Sequence, residues 1–494
     1  MTGTLTLRNA RRYGSNDLID VHISDGRIAR IEPSGSAAGG STPDTGEAID
    51  LDGRYIGPGL WDNHVHFTQW VIQSRRIDLA RTASAEDVLE AVRSARRRGA
   101  PLVDGVLVGY GFRDGLWPQP ATLAALDAAE PEIPVILVSG DLHCAWLNSR
   151  AAARLGVELD DSGILAEMPW FMAQQRFDEA GSLTDGDFAA VAGVAASRGL
   201  VGIVDFEIAD NIADWPARAG RGVDSLRVEA SVWPERLEAA IAAEHRTGEP
   251  LTADGLVRMG RLKIVVDGSL NTRTAWCWDP YPGFDASHPH ACGTESVPIE
   301  ELRRLLGRAR EGGIEVAVHA IGDRANTEVL DAYEELGMRG TIEHAQLVRE
   351  EDFVRFAGLG LAASVQPEHA MDDRDVAERY WPGRTGRSFA YGSLLRSGAE
   401  LRMGSDAPVA PLDPWIAISA GVSRTRDGRE AWHPEQRLPL VEALAASART
   451  EVAEGEPADL IVLERDPFEC ESDELREMRV AATLLGGRFT HRAL

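Results

Sequence analysis

Lysine is almost missing from this chain: of 51 basic residues only Lys263 is lysine, and the rest are arginine. GC-rich coding or adaptation to salt explains the trend. The survivor stands out because an amine can become a carbamate, which a guanidinium does not readily do. Cysteine is scarce too. Cys144, Cys277, Cys292 and Cys470 are scattered and form no C-x-x-C pair, so neither a disulfide framework nor a zinc ribbon is expected. No apolar run reaches the roughly 18 residues of a membrane span, and no apolar stretch follows the first basic residues. A cytoplasmic location without a membrane partner is therefore expected. Positive charge is outnumbered, giving a net charge of −27. That argues against a phosphate-tracking surface and against nucleic acid as a partner.

What remains is a globular composition, 44% hydrophobic and 26% charged over 494 residues. Residues 1–55 read as short strands and turns with a Gly/Ser/Thr/Pro-rich loop, and residues 440–494 repeat that texture. The two ends are expected to pair into a small β-sandwich. Between them, over 56–439, short apolar runs alternate with stretches of helical period. This is the pattern of repeated βα units around a parallel sheet, and the expected fold is α/β, a TIM (β/α)8 barrel. The runs YIGPGLWDNHVHF, PVILVSG, LVGIVDFE, LRVEASVW, RLKIVVDG, IEVAVHAIG, GTIEHAQ, LAASVQPEH and ELRMGSDAP make nine candidate strands for eight places. At least one belongs elsewhere, and the Trp- and Pro-rich region at about 70–180 is the expected insertion.

His64 and His66 lie two apart at the end of a strand-like run, so both imidazoles share a face. A second H-x-H, His288 and His290, lies in a Pro-interrupted loop and is a weak candidate. The first pair has company. His319 ends VAVHAIGD, His344 ends TIEHAQ and Asp406 ends LRMGSDAP, each after an apolar strand. Side chains at the C-terminal strand ends of a barrel converge on one site, and these five form a ligand set for zinc or, less often, iron, manganese or nickel. A hydrogen-bonded core residue is the plainer reading for any one histidine but not for the set. Lys263, on another strand, would bridge two metals as a carbamate. As a bare ammonium it would be a poor neighbour for cations. One or two divalent ions are expected.

The runs GPGLWDNHVHF, DLHCAWLNSRAA, LKIVVDGSLNTRTAW, VHAIGD, IEHAQ, SVQPEHA and GSDAPVAPLDPW resemble, in order, the YtcJ-like branch of the amidohydrolase superfamily, which includes N-substituted formamide deformylase. The resemblance implies a metal-dependent hydrolase barrel with a β-sandwich from both termini. It implies His64, His66, His319, His344 and Asp406 as site residues, with Lys263 as the bridge. The chain departs from the pattern at Leu142, His143 and Cys144 and at Asn271 and Thr272, positions expected near substrate.

The expected reaction is attack of a metal-activated water on a C–N bond of a small molecule. Asp406 would act as base and then acid, and His319 or His143 would stabilise the oxyanion. Arg273 could meet a substrate carboxylate, and Gln366 and His143 are further substrate candidates. Trp61, Trp170, Trp276 and Trp278 could line an apolar pocket, with packing the plainer reading. Asp62 and Glu343, beside ligands on strands, should point away from them, leaving Asp323 as the expected orienting acid. The same ligands would serve a deaminase, lactonase or esterase. A metal-free binding protein would have lost ligands, and all six positions are intact. A homo-oligomer is compatible with everything above.

Overall fold

The computed structural model describes residues 4–35, 46–112, 114, 117–139, 144–174, 176–177, 183–285 and 287–494. Eight parallel strands form the central sheet: Leu60–Val65 (β1), Leu200–Asp205 (β2), Arg227–Val232 (β3), Val257–Val265 (β4), Val316–Ala320 (β5), Gly340–His344 (β6), Ala362–Val365 (β7) and Glu400–Met403 (β8). Each pairs with its sequence neighbour in parallel. β1 and β8 meet through a bridge from Val65 to Ala407 and through the backbone bonds Asp406 N–H to His64 O (2.7 Å) and His66 N–H to Ala407 O (2.9 Å). The sheet is the expected TIM-type barrel.

The strands read as continuous apolar runs because helices cover them, as in β2, where every residue of LVGIVD is buried. Helices follow β2 to β8 in turn. Ile299–Gly312, after β4, shows why they form: Ile299, Leu302, Leu305, Leu306 and Ala309 make one buried stripe, and Gly313 ends the helix in the left-handed conformation at φ 72°.

The terminal β-unit is one hydrogen-bonded sheet of eight strands drawn from both ends of the chain. Leu460–Leu463 pairs antiparallel with Tyr55–Pro58, which runs into β1 across Gly59. Leu5, Leu7, Val21, Ile28, Leu460, Val462 and Leu484 form its core.

Thr68–Val191 is a separate compact unit. Its five-stranded sheet runs in the order Ile164–Ala166, Cys144–Leu147, Val135–Ser139, Leu107–Phe112, Ile77–Asp78. PVILVSG, one of the nine candidate strands, belongs here and not to the barrel. No helix among the described residues is long and apolar enough to cross a membrane.

Candidate metal centre

β1 is buried along its whole length, and the two-residue period carries His64 and His66 to the same side. The backbone bonds that join β1 to the loop after β8 bring Asp406 between them. Asp406 Oδ1 lies 3.5 Å from His64 Nε2 and 3.3 Å from His66 Nε2. His344 and Asp406 hold left-handed backbones at φ 74° and 57°, uncommon for residues with side chains and typical of functional sites held by their surroundings. His344 then packs against the neighbouring imidazoles, its ring 4.9 Å from His64, tilted, and 4.4 Å from His319, edge-on. Lys263 Nζ sits 3.3 Å from His64 Nε2 and 4.3 Å over the Phe206 ring. All six residues expected at the centre therefore lie together at the C-terminal end of the barrel.

The hydrogen bonds set the tautomers. His64 Nδ1 faces the buried Glu343 carboxylate at 2.7 Å, so Nδ1 carries the proton and Nε2 offers its lone pair to the centre. Burial works against ionising Glu343, but its hydrogen bond to His64 and the Lys263 charge outweigh this and hold it below the usual carboxylate range. His319 Nε2 lies 3.3 Å from Gly268 O, a group that only accepts, so Nε2 donates and Nδ1 is the lone pair.

Burial, then the Lys263 charge, pushes His64 down, and the same causes bring His319 to about 3. His344 is held well below its ordinary value by burial and the neighbouring imidazoles. Neutral imidazoles are what a cation requires. Burial disfavours ionised Asp406, yet His64, His66 and His344 together hold its carboxyl far below its ordinary value. Burial lowers Lys263 to about 8, against the opposing pull of Glu343 and Asp406.

These donors fit a divalent ion. His64, His344 and Asp406 offer ligand atoms within 4.8 Å of one another. Two atoms about 2.0–2.1 Å from one tetrahedral ion would be roughly 3.4 Å apart, and the two Asp406–imidazole distances match that spacing. His344 Nδ1 is buried without a hydrogen-bond partner, a costly state that an ion would relieve.

Other expected residues fall elsewhere. Asp323 does not orient a ligand: its carboxylate bonds Arg387 at 2.7 Å and the Trp278 N–H at 3.0 Å. Glu343 does so instead. The alternation rule failed because the left-handed turn at His344 lets two consecutive side chains face the barrel interior. Asp62 accepts the backbone N–H groups of His64 and Ser405, pinning the backbone and not the ring. His319 has its one N–H committed to Gly268, so it suits a ligand better than an oxyanion donor. His143 lies outside the described residues.

Arg273 places its guanidinium over the rings of Phe284 (4.9 Å) and Tyr380 (5.4 Å). Gln366 is 2% exposed, and Gln346 lines the cavity in its stead. Trp170 is 2% exposed in the core of the Thr68–Val191 unit, where it packs with Val108 and Ile136. Trp61 packs under Arg449, while Trp276 and Trp278 pack against Arg324. His288 and His290 are exposed, bonded within their own loop.

A cavity of about 470 Å³ opens onto the centre, lined by the converging imidazoles and Asp406, by Trp233, Val265, Leu270 and Ile321, and by Asn271, His369 and Asp373. Sequence reasoning missed His369 and Asp373, which lie on the helix after β7 and not at a strand end. The histidine of the quoted run SVQPEHA was the available signal. His369 Nε2 is 3.9 Å from Asp406 Oδ2. A second cavity, of about 550 Å³, is lined by earlier strand residues such as Glu229 and Arg261. Glu229 pairs with Arg261 and Arg449 there, Glu400 pairs with Arg402, and no imidazole lines it.

Comparison with known proteins is consistent with this geometry. The amidohydrolase family model matches residues 47–491. YtcJ of Bacillus subtilis (strain 168), whose amidohydrolase name is itself provisional, is 28% identical, with 91% of each chain covered. N-substituted formamide deformylase of Arthrobacter pascens is 26% identical, with 94% of each covered. An uncharacterised metal-dependent hydrolase from Pyrococcus horikoshii OT3 superposes with a TM-score of 0.76 at 26% identity, covering 95% of this chain and 99% of that one.

Proposed function

The chain belongs to the amidohydrolase family, and from that premise we propose that it hydrolyses a C–N bond of a small molecule, of amide, formamide or cyclic imide type. One or two zinc ions would be held by His64, His66, His319, His344 and Asp406, with Lys263 carboxylated as the bridge. The observation that carries this reading is the convergence of those six side chains at one end of the barrel. The formamide deformylase relative, matched along nearly all of both chains, supports the choice of bond.

A divalent ion supplies Lewis acidity and lowers the pKa of water toward about 7. Asp406, ionised and beside two imidazoles, takes the proton from the attacking water. It then passes it to the leaving nitrogen, since amine expulsion needs an acid. Glu343 and Gly268 fix the rings of His64 and His319 so that their lone pairs face inward. His143 is the candidate side-chain donor to the oxyanion.

Lys263 is suited to carboxylation because burial leaves part of its amine unprotonated near neutral pH. The nitrogen lone pair attacks the carbon of CO2, one C=O electron pair moves to oxygen, and a proton leaves the nitrogen. A cation is thereby replaced by an anion among the ligands, which favours ion binding.

The test is a turnover screen of metal-loaded protein against formamides, N-acyl amines, cyclic imides, lactones and esters. At least one C–N substrate should be hydrolysed, with activity lost in Asp406→Asn and on chelation. Turnover of lactones or esters alone would overturn the bond assignment.

A further inference from the structure

The helix Pro367–Tyr380 carries five acids, and four are partnered. Glu368 bonds Arg426 and Arg476, Asp372 bonds Arg426, Asp375 bonds Arg429, and Glu378 accepts the Trp432 indole N–H. Asp373 is the exception. It has no hydrogen bond or ion pair among the described residues, in a chain with 50 arginines available, and it lines the cavity that opens onto the metal centre. The same cavity also exposes apolar surface, from Trp233, Val265, Leu270 and Ile321. Asp373 is half-buried, so its carboxylate faces the cavity without a protein partner among the described residues and is free to meet a group that enters it. Consistent with this, burial pushes Asp373 up to about 6, with Asp372 adding to the rise and His369 opposing it.

Position gives the spacing. Asp373 follows His369 by four residues, so the two share a helix face about 6 Å apart along the axis. His369 reaches toward Asp406 at 3.9 Å, so Asp373 stands one turn further from the reacting centre. An ionised carboxylate only accepts hydrogen bonds, so the matching ligand group is a donor, most strongly a cation.

Resting on the hydrolytic reading above, we infer that Asp373 is the specificity-determining residue of the cavity and receives a protonated amine on the substrate, at the far end of a short aliphatic spacer from the scissile group. The substrate class is then ω-ammonium amides or formamides, and the hydrolysis would release a diamine or an amino acid bearing a second cationic nitrogen.

The test uses the full-length, metal-loaded protein and two slow-reacting probes of equal shape, (3-aminopropyl)urea and n-butylurea, with binding measured by titration calorimetry. The cationic probe should bind at least about 10-fold tighter, the scale of a charge-assisted hydrogen bond. Asp373→Asn, nearly isosteric, and Asp373→Ala should both erase that preference while leaving n-butylurea affinity within about 2-fold. Thermal melts confirm that both variants fold. Equal binding of the probes to the unmodified protein, or a preference that survives both substitutions, overturns the inference. Because calorimetry needs no turnover, an Asp373-dependent preference without C–N hydrolysis would sink the hydrolase reading, and with it the substrate class, and leave only ammonium recognition by Asp373 standing.

Discussion

Glu343 reaches His64 across the barrel at 2.7 Å and decides which imidazole nitrogen faces the centre. Glu343→Gln can still hydrogen-bond but no longer stabilises the donating tautomer with a charge. Divalent-ion affinity should therefore fall about 10- to 100-fold, as read by competition with a chromophoric chelator. Unchanged affinity would mean that packing, not Glu343, sets the ring. The convergence of the five strand-end residues was legible because each follows an apolar run and the barrel makes such ends meet. Glu343 was not legible, because the left-handed turn at His344 is a tertiary effect that breaks the two-residue alternation. Asp373 was hidden for a different reason: it sits mid-helix among partnered acids, and only the cavity separates it from them.

At the scale of elements, the site depends on the seam between β1 and the loop after β8. Gly404 lies in that seam, and a Cβ there would stand 2.7 Å from the His64 backbone nitrogen and 2.8 Å from Asp62 Oδ1. Neither can retreat: the nitrogen is part of β1, and the carboxylate is tied to the N–H groups of His64 and Ser405. Gly404→Ala should cost about 1–3 kcal/mol of stability and lower metal content, followed by thermal melting and elemental analysis of the same sample. A variant as stable and as metal-rich as the parent would show that the seam is softer than its contacts imply. The barrel strands were readable from their apolar runs, but nine runs competed for eight places. PVILVSG could not be sorted by pattern, since a buried strand of a small separate sheet looks like a barrel strand.

In the whole molecule, the first and last segments share one sheet, and Tyr55–Pro58 hands the chain directly to β1. Matching strand texture at the two ends made that pairing legible. The Thr68–Val191 unit contributed the residues hardest to place, including Trp170, whose burial in that unit's core no local pattern announces. The barrel is the part on which the account turns, because it alone gathers six distant side chains at one point.

Metal stoichiometry tests that claim most directly, measured by elemental analysis on protein purified without chelator and repeated on Lys263→Arg. With Lys263 carboxylated as the bridge, the account predicts about two equivalents of divalent metal in the parent, and a drop to one or none, with loss of hydrolysis, in the variant that keeps the positive charge of the unmodified lysine but cannot form the carbamate. A metal-free parent, or a Lys263→Arg protein with full metal and full activity, would contradict it.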